Sequence, residues 1–294
     1  MTILDAIEKA KRLYKERAAS AGFQQKSRSR AIDKTASGHA TSATETVEKP
    51  PRHYAELERV VFDENACRRN AILLTHEQLG GNGGAAAAYR MLRGRILHRA
   101  QANDWSCIGI TSPGVGDGKS VTSLNLAINI ARDKRRFVYL LDLDMRNPSV
   151  FAYVGLKPPR PLADFFLTDI DPDGVLFETN VENLVLAGNA SPTAASSELL
   201  ASGRLDELLG HIRRRSPTSL VIIDLPPVLS TDEALVVAPR ADATFLVVSE
   251  GKTRRDLLER SVSLLSEFNL GGVILNRSGE IIGEKYHEYG AAPG

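Results

Sequence analysis

The reading of this chain turns on Ile108-Gly109-Ile110-Thr111-Ser112-Pro113-Gly114-Val115-Gly116-Asp117-Gly118-Lys119-Ser120-Val121-Thr122-Ser123. An apolar run ends at Thr111, three glycines follow, and a helical pattern opens beside Ser120. Glycines let backbone amides close around phosphate oxygens, and a helix N-terminus adds a partial positive charge. Lys119 can reach the β and γ phosphates of a nucleotide, and Ser120 can ligate Mg²⁺. The stretch therefore reads as a phosphate loop, with Gly114, Gly116, Asp117, Gly118, Lys119, Ser120 and Val121 as the nucleotide contacts. Pro113 stands where the Gly-x4-Gly-Lys-Ser/Thr pattern has its first glycine.

Outward from the loop, apolar runs alternate with helical patterns. Strands are expected at 106–111, 137–142, 184–187, 220–224, 243–249 and 272–276, and helices near 120–133, 198–215, 232–238 and 253–268. Nearly continuous apolar strands separated by helices indicate a mainly parallel, doubly wound sheet covered on both faces, an α/β three-layer sandwich. Two further strand ends carry acids. Tyr139-Leu140-Leu141-Asp142-Leu143-Asp144-Met145-Arg146 places positions 142, 144 and 146 on one face if the strand continues, beside the phosphate crevice. Leu220-Val221-Ile222-Ile223-Asp224 is four apolar residues closed by an acid, which suits a magnesium ligand. The metal set is thus Ser120, Asp142, Asp144 and Asp224. Asn276-Arg277-Ser278-Gly279 lacks the Asp of an Asn-Lys-x-Asp guanine motif, so adenine is expected; Asn276 either contacts the base or caps a turn.

Taken together, the loop at 113–120, the segment Asp142-Leu143-Asp144-Met145-Arg146-Asn147-Pro148 and the segment Asp224-Leu225-Pro226-Pro227 resemble the Walker A, A′ and B motifs of the bacterial tyrosine kinases of capsule and exopolysaccharide synthesis. The similarity spans about residues 89–278, and the Asp-x-Asp-Met-Arg-x-Pro block is its most discriminating piece. The resemblance implies ATP-dependent autophosphorylation on tyrosine. Lys119 and Ser120 would hold ATP and Mg²⁺, Asp142 would act as base or metal ligand, and Asp144 and Asp224 would support the metal. It also implies a transmembrane polysaccharide co-polymerase as activator, self-association for trans-phosphorylation, a counteracting tyrosine phosphatase, and recruitment from the cytoplasm to the inner face of the membrane.

Three positions depart from that family. The acceptor cluster is reduced to Tyr286 and Tyr289, Ala87 stands where the Glu-x2-Arg-x2-Arg oligomer motif has its Glu although Arg90 and Arg93 match, and Val115 replaces a frequent Pro. Two other readings compete. A non-kinase P-loop ATPase adaptor would bind ATP without making phosphotyrosine. A partition-type ATPase would carry a signature Lys at Gly114, and its absence counts against that class.

The rest of the chain bounds these readings. In 294 residues, 37 Lys and Arg face 36 Asp and Glu, which argues against nucleic acid as a partner. Residues 1–50 carry ten basic against six acidic residues, so a basic arm is masked in the total. An amphipathic helix at 1–19, a flexible linker at 20–52, a wrapping segment at 53–84, a kinase domain at 85–280 and an acceptor tail at 281–294 are expected. The wrapping segment reads as a short strand around Val60 and Phe62 followed by an extended run to Leu74. A helix over 85–100 presents Arg90, Arg93, Arg95 and Arg99, read as a solvated or partner-facing basic face. Arg254 and Arg255 follow a strand end and are placed near the nucleotide or a partner. No apolar run of membrane-spanning length occurs, no export signal is recognisable, and Cys67 and Cys107 lack disulfide or zinc spacing, which fits a reducing compartment.

Overall fold

The computed structural model describes residues 57–74, 84–134 and 136–279. The expected N-terminal helix, the linker and the tail with Tyr286 and Tyr289 lie outside the described residues. Within them the elements run α1 (Glu64–Arg69), α2 (Gly84–Asn103), β1 (Cys107–Thr111), α3 (Lys119–Ala131), β2 (Val138–Asp142), α4 (Val150–Tyr153), α5 (Leu162–Leu167), a 3-10 turn (Pro172–Val175), β3 (Phe177–Glu178), β4 (Leu184–Ala187), α6 (Ser196–Ala201), α7 (Arg204–Arg215), β5 (Leu220–Asp224), α8 (Glu233–Val237), a second 3-10 turn (Ala238–Arg240), β6 (Ala243–Ser249), α9 (Arg255–Leu265) and β7 (Leu270–Asn276). The seven strands form one sheet in the order β3-β4-β2-β5-β1-β6-β7, parallel except where β3 runs against β4.

The alternation of side chains along each strand builds two cores. Cys107, Tyr139, Leu141, Val221, Ile223, Leu246 and Val248 point to one face, where Phe165, Leu200, Leu205, Leu208, Ile212, Leu258 and Val262 of the helices cover them. Ile108, Ile110, Val138, Leu140, Leu220, Ile222, Phe245 and Val247 point to the other, against Ile96, Leu124, Ile128, Ile130 and Phe151. Each such side chain contributes about 1.5–3 kcal/mol by leaving water. This is why β1, β2, β4, β5 and β6 read as unbroken apolar runs: both faces are dry. Gly109 lets β5 and β6 close on β1, since a Cβ there would lie 2.9 Å from Leu225 Cδ1.

Helix α3 is buried almost all round because α2 and the segment 57–74 cover the side that the sheet does not. Its polar residues are satisfied in place: Asn125 accepts from the Leu73 amide at 2.8 Å and donates to the Ala71 carbonyl at 3.0 Å, clasping residues 71–73. The basic face of α2 is partly an internal strap. Arg93 donates to the Asn129 carbonyl at 3.3 Å and Arg99 to the Gly271 carbonyl.

Several expectations are corrected. Between Phe62 and Ile72 the chain forms α1, capped by Asp63 accepting from the Ala66 amide, rather than continuing extended, and the strand near Val60 is a single bridge from Arg59 to Glu178. The helix expected over 198–215 breaks into α6 and α7, because Ser202 takes an extended backbone ahead of Gly203. Strand β2 stops at Asp142, so Asp144 and Arg146 are delivered by a turn and not by strand alternation.

Candidate active site

Strands β2, β5 and β1 lie side by side with Asp142 opposite Asp224 and Asp224 opposite Ile110. Their carboxyl ends open where the chain leaves β1 in one direction toward β2 and returns on the other side as β6, the position at which doubly wound sheets form a binding crevice. The phosphate loop fills that position. Gly118 caps α3 with φ 94°, and the first intrahelical bond runs from the Thr122 amide to the Gly118 carbonyl, so the amides of Lys119, Ser120 and Val121 precede the hydrogen-bonded ladder. Gly116 also lies in the left-handed region at φ 81°. A Cβ at Gly116 would collide with the Lys252 ammonium, and one at Gly118 with the Asn276 amide nitrogen, so glycine is required at both.

Lys119 is 9% exposed and directs its three donors inward: 2.8 Å to Asp144 Oδ2, 3.2 Å to Asp224 Oδ2 and 3.1 Å to Ser120 Oγ. The Ser120 hydroxyl donates to Asp224 Oδ2 at 2.5 Å, and Ser123 donates to Asp224 Oδ1 at 3.1 Å. Asp142 is tied by backbone. Its Oδ2 accepts from the amides of Ser149 and Val150 at 2.9 and 3.0 Å, and its Oδ1 accepts from the Asp144 amide at 3.2 Å. Asp144 Oδ1 in turn accepts from the Asn147 amide at 3.1 Å.

Three carboxylates, each at most 2% exposed, thus face one ammonium. Burial, then the neighbouring Asp224, push Asp142 up from 3.8 to about 7, against the opposing pull of Lys119 and the Val150 and Ser149 amides. Burial also raises Asp224, offset in part by Lys119 and Ser120. Lys119 is pulled down by burial, but Asp224, Asp144 and Asp142 outweigh that and raise it. A buried surplus of negative charge on oxygen donors suits a hard divalent cation, so Ser120, Asp224, Asp144 and Asp142 fit Mg²⁺.

Other expected site residues brace the loop. Asp117 accepts from the Gly114 amide at 3.1 Å and from the Thr253 hydroxyl at 2.9 Å. Asn276 donates to the Asp117 carbonyl at 3.0 Å and accepts from the Arg277 amide at 2.9 Å, which places it in the loop-and-turn role. Arg146 turns away from the acids to pair with buried Glu233 at 2.7 Å, a carboxylate that Ser196 also contacts. Arg254 and Arg255 pair with Asp256 and Glu259 on their own helix, not at the loop. Lys252, Thr253, Ser123 and Glu233 were not singled out as site residues from the sequence. The only cue was the Gly251-Lys252-Thr253 turn after a strand.

No protein-family model matches the chain. It is 29% identical over 204 residues to tyrosine-protein kinase YwqD of Bacillus subtilis, covering 69% of this chain and 84% of that one. To tyrosine-protein kinase CpsD of Streptococcus pneumoniae serotype 4 it is 29% identical over 173 residues, covering 58% and 75%. The crystal structure of the VpsO kinase domain superposes with a TM-score of 0.59 at 26% identity, covering 66% of this chain and 96% of that one. The chain is thus similar in sequence and in fold to the bacterial tyrosine kinases. The lysine, serine and three aspartates that carry the resemblance lie in one buried cluster, and Arg90 and Arg93 lie one turn apart on α2.

Proposed function

We propose that the chain is an ATP-dependent protein-tyrosine kinase that phosphorylates its own tail and regulates polysaccharide polymerisation and export. The supporting observation is the Lys119–Ser120–Asp144–Asp224 cluster under a glycine loop at a helix N-terminus. Loop amides and the dipole of α3 bind the polyphosphate, and the Lys119 ammonium transfers from the acids to phosphate oxygens. Ser120, Asp224, Asp144 and Asp142 would hold Mg²⁺, which would supply positive charge to the transferring group.

The tyrosine oxygen attacks the γ-phosphorus, the bond to the bridging oxygen breaks, and ADP departs. A phenol of pKa about 10 must release its proton, and Asp142, raised to about 7 by burial, would take it where it does not hold the metal. Tyr286 and Tyr289 are the acceptors, offered by a neighbouring subunit. Arg90 and Arg93 on α2 would contribute to the contact with that neighbour, and Arg93's bond to the Asn129 carbonyl sets α2 against α3. Each phosphate adds about −1.5 to −2 charges beside Glu284 and Glu288, which drives the tail out of the neighbouring site.

Among the described residues no helix is long and apolar enough to cross a membrane. A transmembrane co-polymerase would therefore recruit and activate the kinase at the inner membrane face, and a tyrosine phosphatase would reset it. The test is phosphoryl transfer from ATP at increasing protein concentration. A rate per subunit that rises with concentration supports transfer in trans. A constant rate contradicts it, and ATP binding without phosphotyrosine leaves the adaptor reading.

A further inference from the structure

The turn between β6 and α9 brings a second ammonium to the phosphate loop. Gly251 takes φ 71°, so the chain reverses after Ser249, whose carbonyl accepts from the amides of Lys252 and Thr253 at 3.2 and 2.9 Å. Two side chains then reach back to the loop across more than 130 positions of sequence. Thr253 donates to Asp117 Oδ1, and Lys252 Nζ donates to the Val115 carbonyl at 2.9 Å. Lys252 passes directly over Gly116, which has no side chain to obstruct it. Val115 beside it is 68% exposed, so this contact lies at the outer lip of the loop.

The charges are arranged unevenly. Asp117 adds a carboxylate to a loop built for anions and is held there by two neutral donors, an amide and a hydroxyl. Lys119 is buried and engaged by Asp144 and Asp224 on the inner side. Lys252 approaches from the solvent side on a flexible four-carbon stem whose head carries three donors, one of them on the Val115 carbonyl. An ammonium held at the mouth of an anion site is placed to meet an incoming phosphate oxygen.

We propose that Lys252 is a second phosphate-binding lysine, its ammonium engaging the polyphosphate of the nucleotide from the lip of the loop opposite Lys119. This rests on the nucleotide reading of the loop given above. Lys252 forms and breaks no covalent bond, and Thr253, held by Asp117, fixes the turn that presents it.

The experiment is calorimetric titration of the full chain with ATP and Mg²⁺ across a salt series. Lys252→Met, Lys252→Gln, Lys252→Arg and Lys252→Glu are compared with wild type, Lys119→Met serves as the control, and each variant's melting temperature is taken without nucleotide. Lys252→Met and Lys252→Gln should each weaken binding about 5–10-fold, as expected for one lost charge-assisted contact. Lys252→Glu should weaken it further, and Lys252→Arg should bind within about twofold of wild type. The salt dependence should flatten in Lys252→Met. Glutamine keeps an uncharged donor beside the Val115 carbonyl, so a lysine whose charge played no part in nucleotide binding would leave Lys252→Gln close to wild type. That result overturns the proposal, as do Lys252→Met and Lys252→Glu binding within about twofold of wild type while Lys119→Met binds poorly. If wild type fails to bind ATP, or Lys119→Met binds as wild type does, the nucleotide reading falls and the proposal falls with it.

Discussion

Two clusters of charge in this molecule look alike by distance and differ in kind. At the carboxyl ends of β1, β2 and β5, Lys119 faces Asp142, Asp144 and Asp224, all buried, with more negative charge than the one ammonium balances. At the start of the 3-10 turn before β3, Asp171, Asp173 and His211 bring their ligand atoms within 4.8 Å of one another, a spacing that a cation would accept. There Asp173 pairs with His211 at 2.7 Å and also with Arg215, the carboxylates are partly or fully exposed, and α7 is strapped to the turn. The first cluster holds more negative charge than its one ammonium balances, and the second is balanced within the protein. Proximity of acids is thus weak evidence for function, and buried charge imbalance beside a phosphate loop is stronger evidence.

The sharpest way to break this contrast is Lys119→Met. Removing the ammonium that meets both Asp144 and Asp224 should lower phosphoryl transfer by about 10³-fold or more, measured as phosphate incorporated from ATP. Asp224→Asn should cost about 10²-fold, with a higher magnesium concentration needed for half-maximal rate, because Ser120 and Lys119 both orient on that carboxylate.

The next effect concerns pH. Asp142 moves from 3.8 when unfolded to about 7 when folded, so the folded state holds its proton more tightly. Stability from this group is fully present below pH 4 and is lost as pH rises to about 7; the raised Asp224 acts in the same sense. Without magnesium, the melting temperature of wild type should therefore fall between about pH 4 and 7, and Asp142→Asn should flatten that fall. An unchanged slope in Asp142→Asn would remove the claim that this carboxyl is held under strain. The smallest effect belongs to the other cluster. Asp173→Asn should cost about 0.5–1 kcal/mol, a few degrees in melting temperature, and leave phosphoryl transfer as in wild type.

Much of the first region was legible in sequence because its determinants are local. A strand buried on both faces must be apolar throughout, so the runs ending at Thr111, Asp142 and Asp224 disclosed the sheet, and glycine spacing ahead of Lys119-Ser120 disclosed the loop. Helices α4 and α5, four and six residues long, are too short to display a period, and two-residue β3 carries no strand signal. Asp144 meets Lys119 through a turn that alternation does not describe. The contacts of Thr253, Lys252 and Asn276 with the loop join positions more than 130 residues apart, and only the folded sheet order places β6 and β7 beside β1 and its loop.

The most direct test is tandem mass spectrometry of the tail after the purified full chain has been incubated with ATP and Mg²⁺, with and without a cytoplasmic fragment of the proposed co-polymerase partner. The account predicts phosphate on Tyr286 or Tyr289 in wild type and its loss in Lys119→Met. Unmodified tyrosines under both conditions, in protein that binds ATP, would contradict it.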